Sequence, residues 1–149
     1  IIGDGEDKIR LNQIIDIFPL RDQVTLHGFL PNKKVLGYLS QADIVISNNK
    51  PSKFFDIEGI PNVIKEAMLS GAFVIASNDQ GNIEITDDGK FGFIYQESNK
   101  QDFYEQIRKY VLLSPTERLR ILNAARFRVR HLFGKSATLG QIEKIINEL

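Results

Sequence analysis

Cysteine is absent from this 149-residue chain. Its absence excludes a disulfide framework, thiolate zinc, iron–sulfur ligation and a cysteine nucleophile. Histidine is scarce: His27 and His131 are the only two, too few for a three-histidine metal site. An excess of one charge is lacking as well. Nineteen Lys+Arg balance nineteen Asp+Glu, so nothing in the net charge points to nucleic acid or another polyanion. No apolar run approaches the ~20 residues of a membrane span. A P-loop, a Gly-x-Ser-x-Gly elbow and a His-Glu-x-x-His motif are all missing.

What is present is ordinary globular material. An apolar share of 42% and a charged share of 26% are compatible with a packed core and not with disorder. The length matches one domain at roughly 150 residues per domain. The opening Ile1-Ile2-Gly3-Asp4-Gly5 reads as the end of a buried strand entering a turn. Strands usually run about five residues, so we expect chain before Ile1 and a larger protein of which this is one part.

Apolar runs alternate with helical spacing. Ile9, Leu11, Ile14, Ile15 and Phe18 predict a helix ending before Pro19. Val24-Thr25-Leu26 predicts a short strand, and Asn32 a cap for a helix carrying Val35, Leu36 and Leu39. Ile44-Val45-Ile46 and Phe73-Val74-Ile75-Ala76 read as strands buried on both faces. Between them, after a polar loop from Asn48 to Ile60, Pro61 suits the first turn of a helix that stops at Gly71. A Gly-rich, acidic turn region then leads to a strand at Phe93-Ile94-Tyr95. Beyond it the pattern is helical: Phe103, Ile107, Tyr110 and Val111 share a face, and Ser114-Pro115-Thr116-Glu117 forms a capping box. A last helix carries Leu139, Ile142, Ile145, Ile146 and Leu149. Alternating strands and helices predict an α/β fold, a Rossmann-like doubly wound parallel sheet with a helical C-terminal tail, in a single domain over 1–149.

Such sheets bind ligands outside the carboxyl ends of their strands. Gly3-Asp4-Gly5 is a weak candidate there. The third glycine of a dinucleotide fingerprint would fall at Lys8, so a tight turn is the better reading. The stretch from Glu58 to Gly71 is more informative. It sets a carboxylate, Glu58, before a flexible Gly59-Ile60 turn and a helix N-terminus whose unpaired N–H groups, at Asn62 and Val63, suit a phosphate. Glu66, one turn in, leans back toward the same opening. Two carboxylates beside an anion site make sense if each accepts from neutral hydroxyls, such as sugar rings flanking a diphosphate. Lys50 and Lys53 are candidates to assist the phosphates, or solvated loop lysines. His27 is read as structural. Arg118, Arg120, Arg126, Arg128 and Arg130 make one helix basic, as a solvated face or as a membrane-facing stripe.

The series Glu58-Gly59-x-Pro61-Asn62-Val63, then Glu66-Ala67-Met68 and Gly71, resembles retaining glycosyltransferases of family 4, the group 1 transferases. The likeness is to their C-terminal, nucleotide-sugar-binding domain, one half of a GT-B fold. It covers nearly the whole chain. Val24-Thr25-Leu26-His27-Gly28-Phe29, Ala42-Asp43-Ile44-Val45-Ile46-Ser47, Val74-Ile75-Ala76-Ser77 and Asp88-Gly89-Lys90-Phe91-Gly92-Phe93 follow in the family's order. The resemblance implies that Glu58 contacts donor-sugar hydroxyls as the catalytic carboxylate. Gly59, Ile60 and Asn62 would line sugar and phosphate, Val63 offer its N–H to phosphate, Glu66 accept from ribose, and backbone at Leu30 meet the base. It also implies a nucleotide-diphosphate-sugar donor, no metal, no cofactor and no nucleic-acid partner. An acceptor domain and a basic diphosphate clamp would lie upstream of Ile1. The whole enzyme would be cytoplasmic, with peripheral contact at the inner membrane face as an open alternative. Gln80-Gly81 stands where the family often has Gly-Gly. A nucleotide-sugar epimerase and a non-catalytic nucleotide-binding α/β module remain alternatives on the same architecture.

Overall fold

The computed structural model describes residues 1–48 and 59–134. They fall into two compact units, one ending at Tyr38 and the other beginning at Leu39.

In the first unit, helix α1 spans Lys8–Ile17, as the apolar spacing predicts. The segments read as strands at residues 1–2 and 24–26 lack regular ladders, but they do pair. Ile1 N donates to Thr25 O, His27 N to Ile1 O and Gly3 N to Gly28 O, a parallel polarity. Helix α2 spans Asn32–Leu39. Asn32 is already helical, so it opens the helix and does not stand outside it as a cap.

The second unit is built on a parallel sheet, β1 (Ile44–Ser47), β2 (Phe73–Ser77) and β3 (Phe93–Tyr95), in the order β1-β2-β3. Burial on both faces holds for β2, all five of whose residues are buried. It fails for β1, where Ile46 is 51% exposed. β1 lies at one side of this sheet and β2 in its middle, so only β2 is flanked by strands on both sides.

Helix α3 spans Asn62–Ser70. Its buried residues Ile64, Ala67 and Met68 keep the i, i+3, i+4 spacing of one face. That face packs on β1 and β2 and meets the helix that begins at Pro115. Gly71 ends α3 at φ +90°, and its N–H reaches back to Ala67 O and Met68 O. Glycine adopts this left-handed stop without a Cβ clash. Pro61, read as the first helical residue, is instead the cap, with ψ 132°.

Between β2 and β3 the turn-like stretch contains helix α4, Gln80–Thr86. Seven residues rich in Gly, Asn and Thr give too short a window for periodicity to register. Asp79 caps it, its carboxylate accepting from Gly81 N at 3.0 Å.

Helix α5 spans Lys100–Leu112 and α6 spans Pro115–Phe133. The predicted capping box is formed: Glu117 N donates to Ser114 Oγ, and Ser114 N donates to the Glu117 carboxylate. Phe103, Ile107 and Tyr110 from α5 join Ile121 and Leu122 from α6 on the face of the sheet that carries Phe73, Ile75 and Tyr95. Phe73 is the hub, its ring 4.9 Å from both Phe93 and Tyr110. The candidate last helix, with Leu139 and Leu149, lies outside the described residues.

The basic character of α6 has a structural cause. Arg126 Nε donates to Leu69 O at the end of α3, and Arg128 donates to Ile85 O and Glu84 O at the end of α4. Helix C-termini leave carbonyls without intrahelical partners, and a cation suits their dipole. Arg118 donates to Tyr110 O and lies over the Tyr110 ring. Three of the five arginines are therefore committed to packing rather than to a membrane-facing stripe.

Gly92 holds the tightest place beside β2. A Cβ there would lie 2.9 Å from Val74 O and 3.3 Å from Thr86 Cγ2. The Val74 carbonyl belongs to a buried central strand and cannot retreat. Gly92→Ala should therefore cost about 1–3 kcal/mol of stability, as overpacking does; denaturant unfolding would show a lowered midpoint, and an unchanged one would refute it.

Candidate functional site

The three strands are parallel, so their carboxyl ends share one edge. Asn48 follows β1, Asn78 and Asp79 follow β2, and Gln96 and Glu97 follow β3. Two hydrogen bonds tie this edge together. Tyr95 Oη donates to Asn48 Oδ1 at 3.0 Å, and Glu97 N donates to Asn78 Oδ1 at 2.8 Å. Burial pushes the Tyr95 phenol above its ordinary pKa, with the Glu97 charge adding to the effect, so it stays protonated as the donor.

α3 starts near this edge, for its preceding turn packs on the N-terminal turn of α4. A Cβ on Gly81 would lie 3.1 Å from both Gly59 O and Ile60 Cα. The structure thus brings Gly59, Ile60, Asn62, Val63 and Glu66 into one continuous stretch. Gly59 and Asn62 are exposed, Ile60 is half-buried and Val63 is 36% exposed. Among the described residues nothing accepts from Asn62 N or Val63 N, while Ile64 N and Lys65 N already turn back to Pro61 O. The first amides of α3 therefore have no backbone acceptor among the described residues, and the positive end of the helix dipole lies at them. Glu66 is half-buried one turn further along. Glu58, Lys50 and Lys53 lie outside the described residues.

Leu30 belongs to the first unit, half-buried two residues beyond Gly28, whose φ is +65°. His27 packs its ring on Tyr38 at 4.6 Å, which agrees with a structural role. The Gly3–Gly5 turn leads into α1, and Lys8 pairs with Asp4 at 2.9 Å. Lys8 thus occupies the place of a fingerprint glycine with a charged side chain. A pocket of about 380 Å³ lies within this unit, lined by Ile1, Gly3, Asp4, Lys8, Leu26 and Gly28.

Asn82 is a residue that the sequence reading passed over, and Gly81 entered it only as a departure from the family's Gly-Gly pair. Asn82 is fully buried; its Nδ2 donates to Ser77 O at 2.9 Å, pinning the end of β2 to α4. Its Oδ1 has no hydrogen-bond partner among the described residues. The available signal was an Asp79 cap ahead of a glycine, legible only once α4 is recognised. No group of three or more His, Asp or Glu among the described residues could hold a metal ion. No described helix is long and apolar enough to cross a membrane.

The model of the family "Glycosyl transferases group 1" matches residues 1–128, which is most of the chain. The chain belongs to the group 1 glycosyl transferases. The match runs through both described units and into α6. Among curated relatives of this group 1 chain, the amylovoran biosynthesis glycosyltransferase AmsK of Erwinia amylovora is 28% identical over all 149 residues. WcaL of Escherichia coli K12, a candidate colanic acid biosynthesis glycosyltransferase, is 26% identical over the same span. The chain covers 36% and 37% of their lengths. Among solved structures, HepE of Anabaena in complex with UDP and glucose superposes with a TM-score of 0.78 at 22% identity, over 99% of this chain and 40% of HepE. Sucrose-phosphate synthase of Thermosynechococcus elongatus superposes with a TM-score of 0.75 at 22% identity, over 99% and 37%. The fold is α/β, a parallel sheet with helices, matching half of a GT-B glycosyltransferase.

Proposed function

We propose that this group 1 chain is the donor-binding half of a retaining glycosyltransferase of family 4, taking a nucleotide-diphosphate sugar. The single observation that carries the proposal is the start of α3: amides at Asn62 and Val63 with no backbone acceptor among the described residues, preceded by the Gly59-Ile60 turn and followed by a half-buried Glu66. Amides with a helix dipole behind them suit a diphosphate. A carboxylate one turn on suits the paired hydroxyls of a ribose, and Glu58 would grip the sugar at the other end. Leu30 would meet the base through its backbone.

In this reading the bond from the anomeric carbon to the diphosphate breaks, and the acceptor hydroxyl bonds to that carbon with retention while its proton passes to the departing diphosphate. The protein's part is positioning and charge stabilisation, with no metal and no resident cofactor. The acceptor site and a basic clamp would be supplied by chain preceding Ile1. AmsK is named for amylovoran biosynthesis and WcaL for colanic acid biosynthesis; glycan or polysaccharide synthesis, in the cytoplasm, is the setting we favour.

Glu66→Ala tests the site in the full-length protein. UDP, held by HepE in its complexes, is the first probe, with GDP and ADP beside it. Removing a half-buried acceptor from ligand hydroxyls should weaken the best-bound nucleotide by about 1–3 kcal/mol in calorimetry. An affinity left untouched would favour a module that does not use this stretch. A product with its sugar epimerised and not transferred would favour an epimerase.

A further inference from the structure

We infer that Gly81 is a positioning residue for the donor site, because its bare Cα sets where the Gly59-Ile60 backbone lies. The inference rests on the donor-site reading above. Gly81 is buried in the first turn of α4. An added Cβ would meet backbone only: Gly59 O and Ile60 Cα at 3.1 Å and Gly59 C at 3.3 Å. No flexible side chain stands there to swing aside, so one of the two backbones must give by a few tenths of an ångström.

The α4 side is the firmer one. Asp79 Oδ1 holds Gly81 N at 3.0 Å. Asn82, fully buried, holds Ser77 O at 2.9 Å. Thr86 Oγ1 closes on Asn82 O at 2.7 Å, and β2 behind them is buried throughout. The opposing turn is less constrained, since Gly59 is exposed and a Cβ on it would meet nothing within 4 Å. A side chain at 81 therefore displaces residues 59–60. Asn62 lies two residues beyond Ile60, so the shift is passed to the amides at the start of α3. Glu66, a full turn inside α3, is moved least.

The experiment compares wild type, Gly81→Ala, Gly81→Val and Glu66→Ala in the full-length protein, using the nucleoside diphosphate that binds wild type best and its monophosphate. Binding constants and thermal midpoints are both measured. A ~1 Å misplacement can cost about a hundredfold, so Ala should weaken the diphosphate about threefold to tenfold and Val more. Monophosphate binding, which leans on Glu66, should change less. A general loss of structure would instead lower the binding stoichiometry and weaken both ligands together, and that result would overturn the inference. Should Val fail to fold, the Ala variant alone decides. Unchanged diphosphate affinity in Gly81→Ala, with Glu66→Ala impaired, would overturn the role of Gly81 and leave the donor site standing. Unchanged affinity in Glu66→Ala would overturn the donor-site reading itself.

Discussion

Phe73→Ala should lower the unfolding free energy by about 3–5 kcal/mol, the usual loss for a large aromatic cut out of a core. Phe73 opens the central strand and is 1% exposed. Its ring touches Phe93 on β3 edge-on and Tyr110 on α5, each at 4.9 Å. The truncation therefore empties a space where sheet and helical layer meet, and deletes two aromatic pairs worth about 0.5–1.5 kcal/mol each beyond their buried area. Domains of this size have only about 5–15 kcal/mol in hand, so a substantial unfolded population is expected near physiological temperature. Denaturant titration should show a lowered midpoint with an unchanged slope. A loss below about 1 kcal/mol would mean that α5 does not anchor on this ring.

Arg128→Ala should cost about 2–4 kcal/mol through a different mechanism. Arg128 Nε donates to Ile85 O at 2.9 Å and Nη2 to Glu84 O at 2.8 Å, with the guanidinium 5.2 Å from the Phe91 ring centre. Glu84 O keeps a second donor in Asp87 N, whereas Ile85 is fully buried and its carbonyl would lose a charged partner. Asp87 is held below the usual carboxylate range chiefly by its hydrogen bond from Lys90, with the Arg128 charge a smaller cause. The loss should therefore be felt at the carbonyls and not as a broken ion pair. Arg128→Lys should restore less than half of it, because one ammonium cannot span two carbonyls and lie flat on a ring. Hydrogen exchange should quicken at the end of α4 before it does in β2. Equal quickening in both would contradict a local role.

Much of this was written in the order of residues. The β2 run, the left-handed stop at Gly71 and the capping box at Ser114 each follow from one local rule, and each is found; the α5 face holds for Phe103, Ile107 and Tyr110 but not for Val111, which is 65% exposed. What escaped depends on neighbours. Ile46 is as apolar as Ile75, yet one is half-exposed and the other buried, and only strand order distinguishes them. Seven residues of α4 fall below the length at which spacing speaks. The start of α3 at Asn62 was legible because proline and glycine mark where a helix begins and ends. The close approach at Gly81 was not, since a glycine that a neighbouring backbone needs bare looks like any other until that partner, remote in sequence, is brought beside it.

The two arginine clasps also bear on how this protein can be cut and recombined. The likeness to the group 1 family extends to residue 128, inside α6 and on one of the clasps. A chimera joined there would inherit Arg128 from one parent and the last turn of its helix from the other. Joining before Ser114 would leave the ends of α3 and α4 to whatever residues the other parent has at 126 and 128. A junction placed after Phe133 keeps α6 whole, so an exchanged segment should be carried over with that helix intact.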